Sequence, residues 1–232
     1  MRRLTDGMLV VVLLVFSGFL YYIAPKRVVV SLTEKSPIAA AESVPGLERG
    51  NGLNLAAQRS DFASSEWRLH RLVVKPNAAA SPDGSNTAFR LVETASKGFH
   101  WIEADVSGIN PGDIHTLSVF VKPSGRGNIL FDMKDSNTGK HGVARFDLTR
   151  KAVVAQYGDV FDAGLQALPD GWYRCWAGMP YATDSAVLIF SLLDNAGEGS
   201  YWGDDRSGLL IWGLQLEQGS RVTGYSDTDP AK

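Results

Sequence analysis

Along most of the chain apolar and polar side chains alternate with a period of two, in short runs broken by turn residues. In "HWIEADV" the alternation predicts a strand with His100, Ile102, Ala104 and Val106 on a core face, and Trp101, Glu103 and Asp105 on the other. "LSVFVKP" sets Leu117, Val119 and Val121 against Ser118, Phe120 and Lys122, while "VLIFSLLD" is apolar on both faces and suits a central strand. "WYRCWA" places Trp172, Arg174 and Trp176 on one side, where the guanidinium could lie over an indole. Between the runs stand "SPDGSN", "NPGD", "PSGRGN", "DSNTGKHG", "PDGW", "DNAGEG" and "GDDRSG", rich in glycine, proline and acids that shape turns. "PSGRGN" reads as a hairpin turn, since no helix follows it to complete a phosphate site, and "VFDAGLQAL" as one helical turn. The pattern predicts an all-β fold of two antiparallel sheets.

The first part of the chain breaks this pattern. Residues 8–24, "MLVVVLLVFSGFLYYIA", carry no charge and approach the roughly 17-residue minimum for a membrane-spanning helix. Tyr21 and Tyr22 stand where an interfacial belt would lie, and Arg2 and Arg3 precede the run. No small-x-small cleavage site directly follows, so an uncleaved signal anchor is expected rather than a removed signal peptide. Lys26 and Arg27 balance the leading arginines, and the orientation favoured is a short tail inside and a large domain outside. The expected organisation is therefore a tail at 1–7, a transmembrane anchor at 8–24, a Pro/Gly-containing stalk at 25–50, a β-sandwich at 51–228 and a tail at 229–232.

Composition narrows the partners. Lysine and arginine total 23 against 25 aspartates and glutamates, so no basic field exists to attract nucleic acid. Cys175 is the only cysteine, which excludes an intrachain disulfide and a thiolate metal cluster; inside an aromatic strand it reads as a small hydrophobe.

In order, "NGLNLAAQRSDFASSEW", "SPDGSNTAFRLVE", "GDIHTLSVFVKPSG", "DGWYRCWAG" and "IWGLQLEQGSRVTGYSDT" resemble a jelly-roll domain of phage tail and head-fibre proteins. Related sandwiches occur among carbohydrate-binding modules and concanavalin A-like lectins, and the resemblance covers nearly all of 51–228. It implies that "IWGLQLE" is the closing strand, with Trp212, Leu214 and Leu216 in the core and Gln215 and Glu217 opposite. It implies a fold more than a function, because the shared residues are turns and core strands. The anchor and stalk depart from the phage pattern and favour display at a cell envelope.

Concanavalin-like glycanases carry Glu-x-Asp-x-x-Glu, and Glu103 with Asp105 resembles its beginning; Gly108 takes the third position, which demotes an enzyme. His70, His100, His115 and His141 lack a short metal-ligand spacing. No cofactor is expected, although Asp204 with Asp205, or Asp132 with Asp135, could supply oxygens to a structural calcium. Sugar recognition asks for exposed aromatic faces beside hydrogen-bonding groups, which nominates Trp67, Trp101, Glu103, Tyr201, Trp202 and Asp204. The expected protein is a single-pass, extracytoplasmic, non-catalytic module that binds a polysaccharide or glycan. The alternatives are a structural or assembly module, which would form oligomers, and a glycan-cleaving jelly roll.

Overall fold

The computed structural model describes residues 53–57 and 60–226, together with the backbone of 15–16 and 19–20. Contacts divide the chain into two units, Met1–Ile38 and Ala39–Lys232. In the first, β1 (Val15–Phe16) pairs antiparallel with β2 (Phe19–Leu20). These strands fall within the stretch expected to be a membrane helix, where valine and phenylalanine also favour extended backbone. The rest of 8–24, the stalk at 25–50 and the tail at 229–232 lie outside the described residues. Among the described residues no helix is long and apolar enough to cross a membrane.

The second unit is a sandwich of two antiparallel sheets. The seven-stranded sheet runs β10 (Ala152–Gly158), β9 (His141–Asp147), β8 (Asn128–Asp135), β13 (Ser185–Leu193), β6 (Lys97–Ser107) and β14 (Ser200–Trp202), and β3 (Arg68–His70) also pairs with β6. The six-stranded sheet runs β11 (Asp162–Ala167), β12 (Tyr173–Pro180), β7 (Ile114–Ser124), β15 (Gly208–Gln218), β5 (Ala88–Glu93) and β4 (Leu72–Ala79). Strands adjacent in sequence repeatedly change sheet, at β3–β4, β5–β6, β6–β7, β7–β8, β10–β11, β12–β13 and β14–β15. Such crossings distinguish a jelly roll from a simple meander.

Alternation places the core where the sequence predicts. His100, Ile102, Ala104 and Val106 are buried on β6, and Leu117, Val119 and Val121 are buried on β7. The doubly apolar β13 is central, flanked by β8 and β6. Phe190 anchors the aromatic centre, with its ring centroid 5.0 Å from Phe131, 6.0 Å from Trp67 and 6.4 Å from Phe62. Phe62 in turn lies 5.6 Å from Phe89 on β5 of the six-stranded sheet, and burying each such ring contributes about 1.5–3 kcal/mol. Cys175 lies in the same core, and burial pushes its thiol pKa well up, as for an inert hydrophobe.

Four local expectations are corrected. "PSGRGN" is no hairpin: it carries the chain from β7 in one sheet to β8 in the other. "VFDAGLQAL" forms no helical turn but supplies β11, paired with β12 from Asp162–Gly178 to Ala167–Tyr173. Arg174 lies over the Phe120 ring at 5.2 Å rather than over an indole, because Phe120 is its cross-strand partner on β7. Finally, Trp212 does not share a face with Leu214 and Leu216. Gly213, at φ 63°, forms a bulge that resets the alternation, so Ile211, Leu214 and Leu216 enter the main core while Leu210 and Trp212 point to the opposite side.

That opposite side, the outer face of the six-stranded sheet, is covered by the C-terminal segment. Trp212 and Phe120 pack against Tyr225, and the Trp212 indole donates to Thr87 Oγ1 at 3.1 Å. Beneath the segment Arg174 donates to Thr223 O at 2.5 Å and to Ser118 Oγ at 3.0 Å. Burial lowers its pKa to about 10, partly opposed by the charge of Glu217. Trp212 is therefore part of the fold's packing, in a second apolar cluster that the alternation alone does not reveal.

Candidate functional site

The outer face of the seven-stranded sheet is the side that the C-terminal segment does not cover. Along β6 the outward positions are Lys97, Phe99, Trp101, Glu103 and Asp105. The register sets Trp202 opposite Lys97 and Ser200 opposite Phe99, so the two tryptophans face the same way. Four residues of strand, roughly 13 Å, separate the Lys97–Trp202 pair from Trp101. Trp202 is 70% exposed, the largest exposed ring among the described residues. Tyr201, between them in register, points the other way.

Trp101 is half-buried and stacks on His70, its cross-strand partner on β3, with ring centroids 4.0 Å apart and planes 10° apart. Beside it Arg68 donates to Glu103 at 2.9 Å and to Asp105 at 2.6 and 3.2 Å. The hydrogen bonds to Asp105 and then Glu103 raise the Arg68 pKa, so the guanidinium stays charged. His70 Nε2 lies 3.4 Å from Glu103 Oε1. The result is an aromatic plate with charged donors and acceptors at its edge. Arg68 and His70, which complete it, were not predicted from sequence; "RLH" is too short to show a period, and only its pairing with β6 reveals the face.

The remaining nominated residues are placed elsewhere. Trp67 is only 5% exposed, stacks on Phe62 at 5.1 Å, and belongs to the core; its ring offers no face to a sugar. Tyr201 is 9% exposed and donates to Glu93 Oε2 at 2.8 Å. Glu93, with a wholly buried side chain, also receives Arg126 Nε at 2.8 Å and Nη2 at 2.5 Å, and the Asp204 N–H at 3.0 Å. Burial, then the bond to Glu93, drives the Tyr201 pKa far up. This knot ties the "PSGRGN" crossover to the β14–β15 loop. Tyr201 thus holds the fold, and Asp204 shapes the adjoining turn by accepting the N–H groups of Arg206 and Ser207 at 2.9 and 2.6 Å.

The acidic loops considered for calcium use their oxygens locally. Asp205 accepts the Ala95 N–H at 2.6 Å. Asp135 accepts the N–H groups of Thr138, Ala182 and Thr183 at 2.8–2.9 Å; burial works against its charge, but these bonds hold its pKa well below the usual carboxylate range. Asp132 faces His141 Nδ1 at 3.3 Å. Among the described residues no three histidines, cysteines or acids are grouped to hold a metal ion. A cleft of about 390 Å³, lined by Ser81, Lys122, Leu168 and Trp172 among others, shares no residue with the β6 face.

No protein-family model matches the chain, and neither does any curated protein. Among solved structures it is similar to the module TmCBM61 in complex with β-1,4-galactotriose, with 11% identity, TM-score 0.44, and 73% of this chain and all of that chain covered. It is also similar to the modules of Clostridium thermocellum xylanase 10B complexed with xylohexaose, with 15% identity, TM-score 0.40, and 73% and 27% covered. A third similarity is to the bacteriophage CBA120 tailspike protein 4, with 16% identity, TM-score 0.40, and 75% and 22% covered. The chain spans about a quarter of the length of the last two. The order and pairing of its own strands make the second unit an antiparallel, two-sheet β-sandwich of jelly-roll type.

Proposed function

We propose that the outer face along β6 binds a glycan without altering it, with Trp101 and Trp202 as stacking surfaces and Glu103 as a hydrogen-bonding group. The observation that carries this reading is the shared orientation of the two tryptophans on one sheet face. Sugar rings present C–H surfaces to aromatic planes and hydroxyls to charged side chains, and this face offers both kinds of group. Glu103 and Asp105 converge on one guanidinium, and Gly108 stands where the glycanase pattern needs its further acid. Both features favour binding over cleavage.

The uncharged run 8–24 further supports attachment of this module to a membrane, with the sandwich extracytoplasmic. Affinity electrophoresis of the full-length protein through gels containing neutral, acidic and amino polysaccharides tests the binding reading. At least one gel should retard the wild type, and Trp101→Ala should migrate freely in it. Equal retardation of both proteins would remove Trp101 from the site, and free migration of the wild type in every gel would end the glycan reading.

A further inference from the structure

Across the same face the register aligns Trp101 on β6, Ser191 on β13, Leu130 on β8 and Arg145 on β9. Strands about 4.8 Å apart put Arg145 roughly 14 Å from Trp101, with the small Ser191 side chain next to the indole. Ser191 is 3% exposed, yet its hydroxyl has no hydrogen-bond partner. Asn128, next outward on β8 and also 3% exposed, donates to Asp194 O at 3.1 Å but leaves its Oδ1 unpartnered. Arg145 Nε is likewise buried and unpartnered, and Nη2 makes a long 3.4 Å contact to Ala196 O. Buried polar atoms without partners are rare because each forfeits its hydration. Three of them lie on this patch, and of their side chains only that of Arg145 is exposed enough to meet an incoming group.

The charges indicate what that group is. Arg68 is engaged by Glu103 and Asp105, and Arg126 by Glu93. Arg145 has no ion pair among the described residues, although its guanidinium is partly buried beneath Gly197, where even a Cβ would overlap it. Of the acids around it, Glu103 pairs with Arg68, Asp132 faces His141 and Asp147 faces Arg150, while the exposed Glu198 flanks the Gly197 that covers Arg145.

Resting on the glycan-binding reading above, we propose that the ligand is an acidic glycan. A uronate carboxylate pairs with Arg145, and Trp101, three strands away, stacks on a sugar further along the same glycan. A planar carboxylate matches the guanidinium fork, which a neutral sugar cannot do.

The test is binding of the full-length protein to polygalacturonate and alginate and to their methyl-esterified forms, which keep the sugar backbone but lose the charge. At least one acid should bind about tenfold or more tightly than its ester, the scale of a charge-assisted bond. Arg145→Gln should bring acid and ester to equal affinity by weakening only the acid, and Arg145→Lys should fall between. Equal wild-type affinity for acids and esters would overturn the proposal, as would Arg145→Gln weakening both alike. Affinity for neutral glycans alone overturns the acidic ligand and leaves the glycan reading standing, whereas no binding to any glycan overturns both.

Discussion

Asn54 and Leu216 lie 162 residues apart, yet Asn54 Oδ1 accepts the Leu216 N–H at 3.0 Å while its Nδ2 donates to Leu214 O at 2.8 Å. The side chain acts as one rung of a strand. It takes over on β15 where β5 stops pairing, at Ile211–Phe89, just before the Gly213 bulge. Asn54 Nδ2 also reaches Ser226 O at 3.0 Å, so the two ends of the sandwich close on the same strand. Asn54→Ala leaves buried backbone groups unpaired and should cost about 2–4 kcal/mol in denaturant unfolding. A loss below about 0.5 kcal/mol, the size of an ordinary surface change, would show that this rung is dispensable.

Glu93 should prove a structural rather than a binding residue. Glu93→Gln strands Arg126 in a low-polarity site and is expected to cost about 3–5 kcal/mol, whereas Tyr201→Phe removes one bond and should cost about 1–2 kcal/mol. Chemical unfolding measures both. Glycan affinity in Tyr201→Phe should equal that of wild type, and a large loss would return Tyr201 to the site.

The Gly213 bulge requires a left-handed backbone, and a Cβ there would come within 2.9 Å of the Phe120 ring. Gly213→Ala should therefore destabilise by about 1–3 kcal/mol. An unchanged melting temperature would mean that the bulge can relax without glycine.

Acid should unfold the protein partly through Asp135. Its folded-state pKa lies below the ordinary aspartate value, so its contribution is fully present above about pH 4 and is lost as pH falls further. Melting curves from pH 5 down to pH 2 should be flatter for Asp135→Asn, which starts less stable, than for wild type. Parallel curves would place the acid sensitivity in other carboxylates.

Much of the fold is legible in the sequence, because burial enforces alternation. β6, β7 and β13 read directly as strands with an inner face, or two, of apolar residues. The errors come from devices that a period cannot encode. One inserted glycine inverts the expected face of Trp212. The "PSGRGN" loop resembles a hairpin locally, and only the pairing of β7 and β8 with different strands shows a crossover. Trp101 and Glu103 were visible as outward positions. Ser191, Arg145 and His70 were hidden because their part in the face depends on which strands lie side by side, and Trp67 was misjudged because polar neighbours in sequence do not imply an exposed ring.

Glycan binding on the β6 face is read by the intrinsic tryptophan fluorescence of the full-length protein titrated with a polysaccharide panel, for wild type, Trp101→Ala and Trp202→Ala. A saturable change is expected with at least one glycan, abolished in Trp101→Ala and weakened in Trp202→Ala, with all three proteins folded by circular dichroism. No saturable change with any glycan, or full affinity retained in Trp101→Ala, would contradict binding at this face.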